Sequence, residues 1–88
     1  MGRVDCVSWP GCKCWFWPKD HREPHFHVKS AGEWEIRVFF GEEPPWYDVL
    51  WQVHEIPGKK LRRFLEEVAE NRQKLFEEWD AKVQEQDP

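Results

Sequence analysis

Positive charge is in short supply: 13 Lys and Arg stand against 17 Asp and Glu, for a formal net charge of −4. That balance argues against a strongly basic nucleic-acid clamp and leaves room only for a local basic patch. No apolar run approaches the roughly 20 residues needed to span a bilayer, and no signal-peptide apolar region is visible. Cys6 stands where a myristoylation signal after Met1-Gly2 requires Ser or Thr. Cysteine is limited to Cys6, Cys12 and Cys14, an odd number that does not fit a secreted disulfide framework. These absences predict a cytoplasmic protein that does not enter the membrane. Internal repeats and low-complexity segments are lacking too.

Aromatic residues are plentiful. Seven Trp, six Phe and one Tyr in 88 residues supply enough buried area for one small core without cross-links. The chain is read as a single domain, residues 1–88.

The pattern along the chain predicts an α+β fold. Residues 1–8 read as a loose lead-in. From Cys12 to Trp17 the residues alternate, with Cys12, Cys14 and Phe16 against Lys13, Trp15 and Trp17. Pro18 to Pro24 is a polar turn. Phe26 and Val28 then alternate with His25, His27 and Lys29, and Ser30-Ala31-Gly32-Glu33 reads as a tight hairpin connection. Trp34, Ile36 and Val38 oppose Glu35, Arg37 and Phe39. A fourth strand is expected over Tyr47 to His54, after Gly41-Glu42-Glu43-Pro44-Pro45. The sheet therefore occupies residues 9–54. From Pro57 the period changes to 3.6, and Leu61, Phe64, Leu65, Val68, Leu75, Phe76, Trp79 and Val83 form one stripe of a helix over 57–84. Arg72 interrupts that stripe. The expected architecture is a four-stranded antiparallel meander with one long C-terminal helix packed on one face.

The parity of the strands has a functional corollary. With Cys12, Cys14, Phe16, Phe26, Val28, Trp34, Ile36 and Val38 under the helix, the other face carries Lys13, Trp15, Trp17, His25, His27, Lys29, Glu35 and Arg37, with Gln52 and His54 at its margin. Aromatics grouped with charges mark an interaction surface.

The densest chemistry lies in Asp20-His21-Arg22-Glu23-Pro24-His25-Phe26-His27, which holds three of the four histidines. Imidazole exchanges protons near neutral pH and ligates metals. Two apart on a strand, His25 and His27 share a face with Cα atoms roughly 6.5–7 Å apart, a span that fits one scissile phosphate. One neutral and one charged imidazole would act as general base and acid in metal-free RNA cleavage, with Asp20 and His21 beside them. Lys13, Lys29 and Arg37 would stabilise the growing phosphorane charge, and Trp15 and Trp17 would stack a base. The plainer alternative makes the histidines half-buried structural groups, with Asp20 accepting from an imidazole or capping the turn. A divalent metal on His21, His25 and His27, completed by Asp20 or Glu35, is a further alternative. A zinc set of Cys12, Cys14, His25 and His27 lacks the usual finger spacings, and core packing of the thiols is preferred. His54 is read as peripheral. Lys59, Lys60, Arg62 and Arg63 open the helix against its dipole, a hint of a phosphate or acidic contact that Glu66, Glu67 and Glu70 at i+4 spacing equally well neutralise.

Asp20-His21-x-x-Pro24-His25-Phe26-His27 resembles the D-H-x-x-P-H-F-H signature of a family of small bacterial proteins catalogued as a domain of unknown function. The resemblance runs from Trp9 to Val83. It includes Gly11-Cys12-Lys13-Cys14-Trp15-Phe16-Trp17 and, in the final helix, Asn71-Arg72-Gln73-Lys74-Leu75 with Trp79. Cys12 and Cys14 depart from the family's aliphatic residues. The Pro- and Trp-rich segment Glu42 to Leu50 departs from its short acidic connection. The resemblance implies a toxin-like component of a toxin–antitoxin pair, hence an antitoxin-like partner protein; RNA as a candidate target comes from the histidine acid/base reading above. The competing expectation is a non-enzymatic module that binds a partner protein or nucleic acid through the Trp/His/Lys face.

Overall fold

Two-residue alternation builds an antiparallel sheet, and among the described residues it has five strands. The computed structural model describes residues 2–17 and 23–83. Its strands are β1 (Gly2–Arg3), β2 (Lys13–Phe16), β3 (His25–Ser30), β4 (Trp34–Phe39) and β5 (Trp46–Gln52), each hydrogen-bonded to the next in chain order. The β3–β4 connection is the expected tight turn: Glu33 N–H donates to the Ser30 carbonyl at 2.9 Å, and Gly32 takes φ +75°, a backbone region that glycine enters without a Cβ clash.

The additional strand comes from residues 1–8. That segment is not loose: Gly2 and Arg3 pair with Phe16 and Trp15, and Val4 and Val7 are buried in the core. Its apolar residues are too few to show a period, so the anchor escapes a pattern reading. Much of that anchor is polar. Glu78 accepts the backbone N–H groups of Asp5 and Cys6, each at 2.8 Å, while Lys82 Nζ reaches the Asp5 carboxylate at 2.7 Å and the Arg3 carbonyl at 2.5 Å.

The C-terminal stripe folds as two helices, α1 (Gly58–Glu70) and α2 (Arg72–Lys82), rather than one long helix. Asn71 makes the break at φ −108°, ψ 19°, and its side-chain amide donates to the Glu67 carbonyl at 2.9 Å. Asn competes with helix in this way because its amide can replace a backbone partner. Arg72, the residue that interrupts the apolar stripe, donates to the carbonyls of Phe40 (3.0 Å) and Gly41 (2.7 Å). It thereby satisfies the carbonyls where the sheet ends. Leu61, Phe64 and Val68 of α1 and Leu75 and Trp79 of α2 are buried with Val83 against Phe16, Phe26, Val28, Trp34, Ile36, Val38 and Phe40. The core lies between the helices and one face of β2, β3 and β4.

Candidate functional site

Strand register decides which side chains meet on the face away from the core. Directly opposite residues of antiparallel strands share a face. Trp15 lies opposite His27 and Arg3, His27 opposite Arg37, Arg37 opposite Asp48, His25 opposite Phe39, and Phe39 opposite Trp46. Lys13 faces Lys29, which faces Glu35. The outer face thus gathers Lys13, Trp15, His25, His27, Lys29, Glu35 and Arg37. Gln52 is not among them. A bulge between Glu35 and Ile36 leaves Leu50 unmatched and turns Gln52 to face Trp34 on the core side. A one-residue bulge flips the parity beyond it. His54 is exposed past the strand end. Asp20 and His21 lie outside the described residues, as does the proposed convergence of His21 with His25 and His27.

Aromatic rings cross this face as a continuous diagonal. Trp15 stacks on His27 at 5.2 Å between centroids, His27 meets His25 at 5.5 Å, His25 stacks on Phe39 at 5.1 Å, and Phe39 stacks on Trp46 at 4.1 Å. Trp17 leans on His27 at 5.9 Å. The rings shield one another. Trp15 is buried and His25 is only 1 % exposed, so the open His pair expected from parity is not present. His25 sits at the sheet end, where its ring comes within 6.1 Å of Trp79 of α2 and its Nδ1 lies 2.7 Å from the Glu23 carbonyl. The exposed aromatics of this face are Trp17 and Trp46, at 45 % and 40 %.

His27 is the better-framed imidazole. Its Nδ1 lies 3.2 Å from Glu35 Oε2, and the other oxygen of Glu35 accepts from Trp51 Nε1 at 3.0 Å. A carboxylate fixed in this way selects the ring's tautomer and orientation. His27 Nε2 is buried with no hydrogen-bond partner among the described residues, as is Trp15 Nε1. Burial holds the His27 pKa below its ordinary value of 6.5, with the charges of His25 and Arg37 adding to the effect and Glu35 opposing it. The folded chain therefore favours the neutral ring. Its stabilising contribution is complete above the unfolded pKa of about 6.5 and is lost as pH falls through the lower folded value. The expected result is a melting temperature that drops more steeply from pH 7 to pH 5 in the parent than in His27→Gln. Parallel curves in thermal melts would show that the ring does not titrate in that window.

Arg37 is engaged. Its Nε and Nη2 clasp Asp48 at 3.0 and 2.5 Å, a bidentate pairing that occupies the fork a phosphate would need. Lys13 and Lys29 are different. They lie directly opposite each other, and neither has a carboxylate within ion-pair distance among the described residues. Lys13 Nζ sits 5.5 Å from the Trp15 ring. Arg3, opposite Trp15, extends the pair to three cations. Arg3 was missed in the sequence because its strand was invisible. Trp51 was missed because the bulge decides its face.

The cysteines belong to the other side. Cys14 is buried in the core and Cys12 packs against it, so a shared zinc site with His25 and His27 would have to pass through the sheet. No group of three or more His, Cys, Asp or Glu among the described residues is arranged to hold a metal ion. Burial pushes the Cys14 thiol up to about 11, and burial with the neighbouring Glu78 pushes Cys6 up to about 12. These thiols stay protonated, as core groups do. No helix among the described residues is long and apolar enough to cross a membrane.

Residues 11–80 match the family described as Domain of unknown function (DUF4160), and the chain belongs to that family. No curated protein and no solved structure matches it.

Proposed function

We propose that this DUF4160 protein is the toxin-like member of a toxin–antitoxin pair, and that it engages RNA by binding at one corner of the outer sheet face. The observation that carries this reading is the facing pair Lys13 and Lys29, neither within ion-pair distance of a carboxylate among the described residues, with the exposed Trp17 farther along the same face beyond Trp15. Like charges directly opposite on a sheet are destabilising, although Lys29 also faces Glu35 and Lys13 lies over the Trp15 ring. A phosphate bridging them would offset that cost. Arg3 supplies a third cation and Trp17 an indole on which a base can stack, a contact worth about 1–3 kcal/mol in single-strand binders. An antitoxin-like partner protein would then act by covering this corner.

A second reading rests on the His27–Glu35–Trp51 chain. An imidazole backed by a fixed carboxylate is the frame of a general base, and His25 lies one ring away. Access to the buried His27 Nε2 would require Trp15 or Trp17 to move aside. The family resemblance alone favours neither reading.

One experiment separates them. Purified protein is mixed with a short single-stranded RNA of mixed sequence, with and without a chelator, and both mobility and integrity are followed. The expected result is a salt-sensitive mobility shift with the RNA intact. Cleavage that persists in chelator and falls 10²–10⁴-fold in His27→Ala moves the function to the imidazole. Neither shift nor cleavage would overturn both readings.

A further inference from the structure

The ladder between β1 and β2 stops early. Val4 N–H still donates to the Cys14 carbonyl at 3.1 Å, but the next donors, Asp5 and Cys6, go to Glu78 of α2. Ser8 N–H goes to Glu67 of α1 at 3.1 Å. The chain returns to β2 only at the turn where Cys12 N–H donates to the Trp9 carbonyl at 2.9 Å. Residues 5–8 are thus staked to the helices rather than to the strand, and a cleft of about 390 Å³ is left between this loop and β2. That volume falls in the range of small-molecule sites.

Strand parity divides the lining. Val4 and Cys14, on the core face, join Val7 and Trp9 as an apolar wall. Arg3, Lys13 and Trp15 come from the outer face: Arg3 lies directly opposite Trp15, and Lys13 Nζ is 5.5 Å from the Trp15 ring. Neither cation has a carboxylate within ion-pair distance among the described residues. No Asp or Glu lines the cleft, in a chain that carries 17 of them. Trp15 is only 8 % exposed, and its indole N–H has no hydrogen-bond partner among the described residues. A buried donor left unpaired is costly, and an acceptor seated beside Trp15 would satisfy it.

We infer that this cleft binds a small aromatic carboxylate, its anion between Arg3 and Lys13 and its ring against Trp9 and the valines. Two unpaired cations without a competing carboxylate select an anion, and a carboxylate matches the guanidinium fork. The apolar wall selects the body, and indoles at Trp9 and Trp15 favour a flat ring over an aliphatic chain. A nucleotide fits less well, because its base edges need hydrogen-bonding partners where the wall presents valine, indole and thiol groups. Arg3 and Lys13 also belong to the corner assigned above to RNA, but the inference rests on the cleft and stands whether or not RNA binds there.

Calorimetric titration of the purified chain with 3-phenylpropionate, without RNA, tests it. The expected result is saturable binding with a Kd at or below about 1 mM, within reach of so small a ligand. The uncharged 3-phenylpropanamide and acetate should each bind at least about tenfold more weakly, since one lacks the charge and the other the ring. Arg3→Gln and Lys13→Gln, both at exposed positions, should weaken binding by a similar factor, and either variant that folds is decisive. Alkylation by iodoacetamide, followed by mass spectrometry, locates the ligand. Saturating 3-phenylpropionate should slow the reaction of Cys12, which lines the cleft, and leave that of the equally half-buried Cys6 unchanged. Absent binding, equal binding of the amide, binding that the folded variants leave unmoved, or Cys12 left unprotected overturns the inference. Tighter binding of uridine 5′-monophosphate overturns it too, and gives the cleft to RNA.

Discussion

Trp79→Ala is expected to lower stability by about 3–5 kcal/mol, the range for truncating a large buried aromatic. The indole is 5 % exposed and makes edge contacts with Phe16 at 6.0 Å and Phe40 at 6.1 Å. It also closes the sheet end over His25. Edge-to-face pairs contribute about 0.5–1.5 kcal/mol beyond area burial, so two of them and the cavity account for the upper half of the range. A small domain holds about 5–15 kcal/mol in all, and the loss should lower the melting temperature by more than ~12 °C. Denaturant titration of parent and variant measures it. A midpoint that hardly moves would mean that α2 does not dock through this face.

The strongest periods in the sequence led to the correct layers. Phe26, Val28, Trp34, Ile36 and Val38 are buried where alternation put them, and Leu61, Phe64, Val68, Leu75 and Trp79 lie on the stripe that covers them. What escaped the sequence was decided by contacts distant along the chain. β1 is two residues long and owes its place to Glu78 and Lys82, more than 70 residues away. The helix breaks at Asn71, next to the Arg72 side chain that donates to the carbonyls of Phe40 and Gly41. The Arg72 interruption was visible in the sequence, but its partners were not. For the candidate site, parity placed Lys13, Trp15, His25, His27, Lys29 and Arg37 on one face. It could not tell that Phe39 and Trp79 would close over His25, or that Asp48 would clasp Arg37. Alternation fixes the face a side chain takes, whereas exposure depends on the neighbours that fill that face.

The facing lysines allow a test that separates fold from function. Lys13→Glu converts a like-charge pair with Lys29 into an attractive one, and cross-strand opposite-charge pairs contribute about 0.2–1 kcal/mol. The loss of the Lys13 contact with the Trp15 ring, about 0.5–1 kcal/mol at an exposed site, offsets that gain, so the variant is expected to keep near-parental stability. Its affinity for single-stranded RNA should fall at least about tenfold at ~0.1 M salt, because a cation of the binding corner has become an anion. Lys13→Glu/Lys29→Glu restores a like-charge pair and also sets a carboxylate at position 29 opposite Glu35, so the double variant should be less stable than either the parent or Lys13→Glu, while binding weakens further. The salt dependence carries the same information. Three phosphate contacts by Arg3, Lys13 and Lys29 give a logarithmic slope of about −2 on single strands, and the double reversal leaves about −0.7. Thermal melts and a fluorescence-anisotropy titration over a salt series measure both quantities on the same preparations. Binding that Lys13→Glu leaves at the parental level, or a slope that the double reversal leaves unchanged, would remove RNA from this corner. The cations would then be ordinary solvated side chains, and the His27–Glu35 chain would be the remaining candidate for the activity of this protein.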